Sequence, residues 1–149
     1  MKTIAEVMSR DAINVTRDDD IRRAAELMKD LNIGALPVTE DSRVIGMVTD
    51  RDITIRATAE GLGPETPVTA VMSAEICVCH EDQSLDQVMD NMRQAQVRRI
   101  PVVARGDRSL IGIVAIADLT LSDADDSETV ETLREISSPV PAGQEAVRM

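Results

Sequence analysis

The sequence predicts an α/β fold, an α+β sandwich of two pseudo-symmetric β-α-β-β-α repeats packed through their sheets, and three observations carry that prediction. First, the chain repeats itself: Val7-Met8-Ser9 returns as Val71-Met72-Ser73, Leu36-Pro37-Val38 as Ile100-Pro101-Val102, and Ile45-Gly46-Met47-Val48 as Ile111-Gly112-Ile113-Val114. Second, the register is tight: Met8 and Met72, Met28 and Met92, and Pro37 and Pro101 lie 64 positions apart, whereas Gly46 and Gly112, and Asp52 and Asp118, lie 66 apart, so two residues are inserted in a loop. Third, short apolar runs alternate with helical periodicity in the same order in both copies.

The elements follow in order. Thr3-Ile4-Ala5-Glu6 is a capping-box pattern that opens a short helix ending near Met8. A strand is expected at about Ala12 to Thr16. After the acidic stretch Asp18-Asp19-Asp20, the residues Ile21, Ala24, Ala25, Met28 and Leu31 recur at helical spacing and predict one buried helix face. Strands at about Ala35 to Thr39 and Arg43 to Thr49 flank the polar turn Glu40-Asp41-Ser42 and make a hairpin. A helix from about Asp50 to Glu60 stops at Gly61, and Gly63, Pro64 and Pro67 mark the link to the second copy.

In the second copy Ser84-Leu85-Asp86-Gln87 is again a capping box, with Leu85, Val88, Met89 and Met92 on one helical face. Strands are expected at about Ile76 to Cys79, Ile100 to Ala104 and Leu110 to Ala115. The organisation is therefore a first repeat over 1–63, a second over 64–121, and an acidic C-terminal helix with a mobile tail over 122–149, whose Val130, Leu133 and Ile136 suit a short docking face.

Composition narrows the function classes. The net charge is −11, which disfavours phosphate backbones and anionic membrane surfaces, so neither nucleic acid nor membrane is an expected partner. The chain has no Phe, Trp or Tyr, so a bound nucleobase must be gripped by aliphatic side chains and backbone. There is no run of eighteen apolar residues and no apolar segment of a secretory signal at the start, and the expected location is cytoplasmic. No nucleophile, base and orienting group are spaced as a catalytic set, and the glycines form no phosphate-binding loop or dinucleotide fingerprint; the chain reads as a non-enzyme with no required cofactor.

Cys77-x-Cys79-His80 brings together three groups of the kind that bind zinc, but adjacent Cys79 and His80 point to opposite faces of a strand. Buried thiols are the simpler reading of Cys77 and Cys79. His80 is the single histidine of the chain, the residue type whose charge changes near neutral pH.

The segments Gly46-Met47-Val48-Thr49-Asp50-Arg51-Asp52 and Gly112-Ile113-Val114-Ala115-Ile116-Ala117-Asp118, with the repeated Val-Met-Ser and Leu/Ile-Pro-Val, resemble a tandem pair of cystathionine-β-synthase (CBS) domains, a Bateman module. The resemblance spans roughly residues 3 to 121, and the whole chain is similar to small stand-alone bacterial CBS-pair proteins, hypoxic-response proteins among them. It implies a regulatory module for energy or stress sensing, assembled as a disk-shaped homodimer. It further implies an adenosine-containing ligand in the cleft between repeats, AMP, ADP or ATP, with NAD or S-adenosylmethionine as alternatives, and an unidentified effector protein.

On that resemblance Asp52 and Asp118 take the ribose position, where a carboxylate accepts from both vicinal hydroxyls. The competing reading of Thr49-x-x-Asp52 is a helix capping box alone. The family combines the Asp motif of one copy with the pre-proline strand of the other, which would group Thr49 and Asp52 with Arg98 and Arg99. Asp118 would then be left with Gly34 and Ala35, where Ala115 replaces the threonine. That asymmetry predicts one competent phosphorylated-adenosine site and one weaker or nucleoside-selective site. Arg51 is a further phosphate candidate, and Val78, His80, Val97, Ile100 and Pro101 are candidates around the base. Two other functions compete: a ligand-free CBS scaffold or dimerisation protein, and a metal-binding stress-response protein using Cys77, Cys79 and His80.

Overall fold

A computed structural model describes residues 2–120, in a mixed α/β arrangement of short helices and two small sheets. The elements are α1 (Ile4–Val7), β1 (Val15–Thr16), α2 (Ile21–Leu31), β2 (Ala35–Glu40), β3 (Arg43–Thr49), α3 (Asp50–Arg56), α4 (Leu85–Ala95), β4 (Arg99–Val103), β5 (Leu110–Ala115) and α5 (Ile116–Thr120), with 3-10 turns at Thr58–Glu60 and Val68–Ala70. The expected C-terminal helix and tail, with Val130, Leu133 and Ile136, lie outside the described residues.

The chain forms two compact units that do not follow the repeat boundary. Among the described residues, one comprises 2–12, 77–106 and 111–120; the other comprises 13–76 and 107–110. Each unit joins the body of one repeat to the opening of the other. In the first, Ser9 and Ile113 exchange backbone hydrogen bonds of 2.9 Å, and Ile4 N donates to Gln83 O at 3.0 Å. In the second, Met47 and Ser73 make the same exchange at 2.9 Å, and Val68 N donates to Asp19 O at 3.0 Å.

In the second unit β1 runs parallel to β2, and β2 pairs antiparallel with β3 with a register shift between Val38 and Thr39. The hairpin turns at Asp41 and Ser42, both at positive φ. Asp20 caps α2 by accepting from Arg23 N at 2.9 Å, as a short acidic side chain at this position should. The buried face of α2 is Ile21, Ala24 and Met28, with Leu27 packed beside them. Ala25 is exposed, because it is turned about 100° from Ala24. Leu31, expected in that face, is 44% exposed at the last residue of the helix. These side chains pack on Val15, Leu36, Val38 and Val48, and on Val68 and Val71 from the opening of the second repeat.

The first unit follows the same plan. Ser84 caps α4 by accepting from Gln87 N at 3.2 Å, and Leu85, Val88, Met89 and Met92 enter the core as their spacing requires. They meet Ile4, Met8, Cys79, Ile100, Val102, Val114 and Leu119. Sequence patterning overestimates strand at two places. Residues Ala12 to Asn14 are not strand, and Ile76 to Cys79 reduces to a single parallel bridge between Cys79 and Val102. The helix expected through Glu60 ends at Arg56 and continues as a 3-10 turn closed by Gly61 at φ 76.

Candidate functional site

The polar chemistry lies where each hairpin's last strand becomes a helix. In the second unit β3 ends at Thr49, whose Oγ1 accepts from Asp52 N at 3.0 Å while Asp52 Oδ2 accepts from Thr49 N at 2.9 Å. This reciprocal capping box satisfies two donors of the first turn of α3, and Thr49 is only 6% exposed. Asp52 Oδ1 is not used by the cap and lies 3.9 Å from Arg56 Nε. Arg56 Nη1 in turn donates to Val71 O and Met72 O, each at 3.2 Å, which ties this helix to the opening of the second repeat.

The pre-proline strand start sits beside this cap. Ala35 is the register partner of Thr49, and Asp50 N donates to Gly34 O at 3.0 Å. Thr49 and Asp52 are thus brought together within one unit with Gly34 and Ala35, the pair that the family resemblance had grouped with Asp118, because the hairpin register itself pairs each strand start with its own repeat's cap. Ala35 is buried, Gly34 is half-buried and Arg51 is exposed.

The first unit reproduces the frame with different groups. Asp118 Oδ2 accepts from Ala115 N at 2.7 Å, and Ile116 N donates to Arg98 O at 2.8 Å. With alanine at 115 the reciprocal hydroxyl bond is absent, and the cap is one-sided. Arg98 is exposed, Arg99 half-buried at the start of β4. Among the base candidates, Val78, Val97 and His80 are half-buried, whereas Ile100 and Pro101 are buried. The Ile100 side chain belongs to the unit's own core, which is where alternation along a half-buried strand sends it.

His80 is held by its surroundings. Its backbone N donates to Gln83 Oε1 at 2.8 Å, and its Nδ1 lies 3.1 Å from Val103 O. It lines a shallow cleft of about 280 Å³ with Glu81, Asp82, Val103, Ala104 and Arg105. Arg105 grips the Asp82 carboxylate through Nε and Nη2 at 2.9–3.1 Å, and that hydrogen-bonded guanidinium holds Asp82 below the usual carboxylate range.

Cys77 is half-buried and Cys79 buried, both as free thiols. Burial pushes the Cys77 thiol up, and burial followed by proximity to Cys77 pushes Cys79 up to about 12. Among the described residues no group of three His, Cys, Asp or Glu is placed to hold a metal ion. Also among the described residues, no helix is long and apolar enough to cross a membrane.

Asp50 was not singled out by sequence reasoning, being read only as the start of a helix. The signal was available: at the 66-residue shift its counterpart is Ile116, the sharpest change of character within the repeated motif.

A family model described as CBS domain matches residues 4–57 and 68–125. The CBS domain-containing protein YhcV of Bacillus subtilis is 38% identical over 137 residues, which is 92% of this chain and 96% of that one. The crystal structure of Hypoxic Response Protein I with two coordinated zinc ions superposes with a TM-score of 0.70 at 34% identity, covering 81% of this chain and 98% of that one. The CBS domain pair of protein MJ0100 in complex with 5-methylthioadenosine and S-adenosyl-L-methionine superposes with a TM-score of 0.69 at 25% identity, covering 80% and 98%.

Proposed function

We propose that this chain, which belongs to the CBS domain family, is a non-catalytic regulatory module that binds an adenosine-containing ligand of the AMP or ATP class and signals its level to an effector protein. The observation that carries the reading is the paired use of Asp52 and Asp118. Each carboxylate is fixed through Oδ2 to the backbone of the strand end it caps, at 2.9 and 2.7 Å, and the cap leaves Oδ1 out. A carboxylate oriented in this way accepts from vicinal ribose hydroxyls without first losing side-chain freedom. The ligand pair named for the related MJ0100 structure supports the adenosine class.

In this reading Asp52, capped by Thr49, and Asp118 each serve a ribose, while Arg98 and Arg99, in the unit of Asp118, serve phosphate. The half-buried Val78, Val97 and His80 contact the base, and the homodimer, the sensing of energy or stress state and the cytoplasmic location belong to the same proposal. Binding acts by favouring one of two module arrangements, so the signal is limited by the ligand's difference in affinity between them.

The chain is nearly transparent at 280 nm because it has neither Trp nor Tyr, so co-purifying adenine stands out at 260 nm. Titration calorimetry with adenosine, AMP and ATP should show Asp52→Ala with Asp118→Ala weakening all three, and Arg98→Ala with Arg99→Ala weakening only the phosphorylated pair. At one hundred times its dissociation constant, a ligand should raise stability by about 2.7 kcal/mol. If no adenine co-purifies and no adenosine compound shifts the melting temperature, the chain is a ligand-free scaffold.

A further inference from the structure

The two strand starts share a backbone frame and carry opposite charge. In one unit the bond runs from Asp50 N to Gly34 O at 3.0 Å; in the other it runs from Ile116 N to Arg98 O at 2.8 Å. At the first of these the Asp50 carboxylate lies over the glycine: a Cβ built on Gly34 would stand 3.2 Å from Oδ2 and 3.4 Å from Oδ1. The carboxylate is exposed yet fixed, since its Oδ1 accepts from Arg51 N at 2.8 Å. At the second start the equivalent position is Ile116, apolar and 8% exposed, and two guanidinium side chains follow one another at Arg98 and Arg99.

We propose that Asp50 is a specificity-determining residue: it makes the Gly34-Ala35 strand start reject phosphoryl groups and accept an adenosine compound that is neutral or cationic at its 5′ end. The inference rests on the adenosine-binding reading above and deepens it by assigning a ligand class to each strand start. A phosphate placed against a fixed carboxylate meets like charge at short range, and like-charge contacts act mainly on selectivity. A nucleoside hydroxyl or a sulfonium has no such conflict. Glycine suits this approach, because a Cβ at 34 would press on the carboxylate and require it to give by a few tenths of an ångström. Sequence comparison of the repeats shows that this start lacks the arginine pair of the other; the structure adds a group that opposes phosphate.

The test uses the full chain carrying Arg98→Ala and Arg99→Ala, so that phosphate binding at the other start is removed, with and without Asp50→Asn. Calorimetric titration with ATP and with adenosine should show Asp50→Asn raising ATP affinity at least tenfold while adenosine affinity changes less than threefold. Asp50→Ser, which removes the charge but keeps an oxygen near Arg51 N, should give the same split. Unchanged ATP affinity with adenosine binding intact overturns the role of Asp50 alone, as does an equal change in both ligands. Absence of adenosine binding from the unmutated chain overturns this proposal together with the adenosine-binding reading.

Discussion

Gly112 and Met8 are in direct contact: a Cβ at Gly112 would stand 2.7 Å from Met8 Sδ and 2.9 Å from Ser9 O. The second repeat's hairpin therefore depends on the opening of the first for a neighbour its backbone can touch. Gly46 holds the reciprocal position, with a Cβ 2.6 Å from Ser73 O and 2.9 Å from Met72 Sδ. In both places the sulfur can swing away, but the carbonyl is fixed by the two bonds that define the strand contact.

Gly112→Ala and Gly46→Ala should therefore each destabilise the chain by about 1–3 kcal/mol, the usual cost of overpacking a close contact. Urea unfolding monitored by far-ultraviolet circular dichroism would read this as a lower midpoint. Either alanine variant unfolding at the parent midpoint would show that the openings do not lie where described.

The second prediction concerns helix ends. Gln96 closes α4 at φ 55, ψ 44, and Asn32 closes α2 at φ 54, ψ 49. Asparagine tolerates the left-handed region; glutamine pays about 1–2 kcal/mol there. Gln96→Gly should raise stability by about 0.5–1 kcal/mol, with a smaller gain for Asn32→Gly. Equal effects at the two sites would contradict the strain assigned to Gln96.

The third concerns the thiols. With its folded pKa pushed up to about 12 by burial, Cys79 keeps its proton where the unfolded thiol, near 8.5, loses it. The unfolded state then binds fewer protons, so stability is level below the unfolded value and falls as pH rises toward the folded one. Cys79→Val, which installs the residue found at Val15 in the first repeat, should flatten that alkaline decline under reducing conditions. In labelling of the native chain with a thiol reagent, half-buried Cys77 should react well before Cys79. Equal rates would rule out the burial difference.

Much of this architecture was legible in the chain. The caps Asp20 and Ser84, the core positions of α4 and the hairpin turn at Asp41-Ser42 follow from residue type and spacing, because each is a local matter of hydrogen bonding or periodicity. The site was legible as residue types: Thr49 and Asp52 are both a cap and a family motif, and the structure shows the cap outright. Its limits were equally physical. Ile100 reads as a contact residue in a one-dimensional motif, yet strand alternation turns it into the core. Strand length at Ile76 to Cys79 was overread because apolar alternation does not reveal how far a partner strand extends.

What the sequence determined by itself is the repeated plan, its local punctuation and the unequal chemistry of its two copies, since each is fixed by residues close together in the chain. Which opening packs on which hairpin was decided only in three dimensions. Val7-Met8-Ser9 and Val71-Met72-Ser73 are identical and Gly46 and Gly112 equivalent, so no local preference distinguishes the two pairings. The exchange between Ser9 and Ile113, and between Met47 and Ser73, is a property of the folded chain, as is the carboxylate of Asp50 lying over Gly34. Both depend on contacts between residues more than a dozen positions apart, which periodicity does not encode.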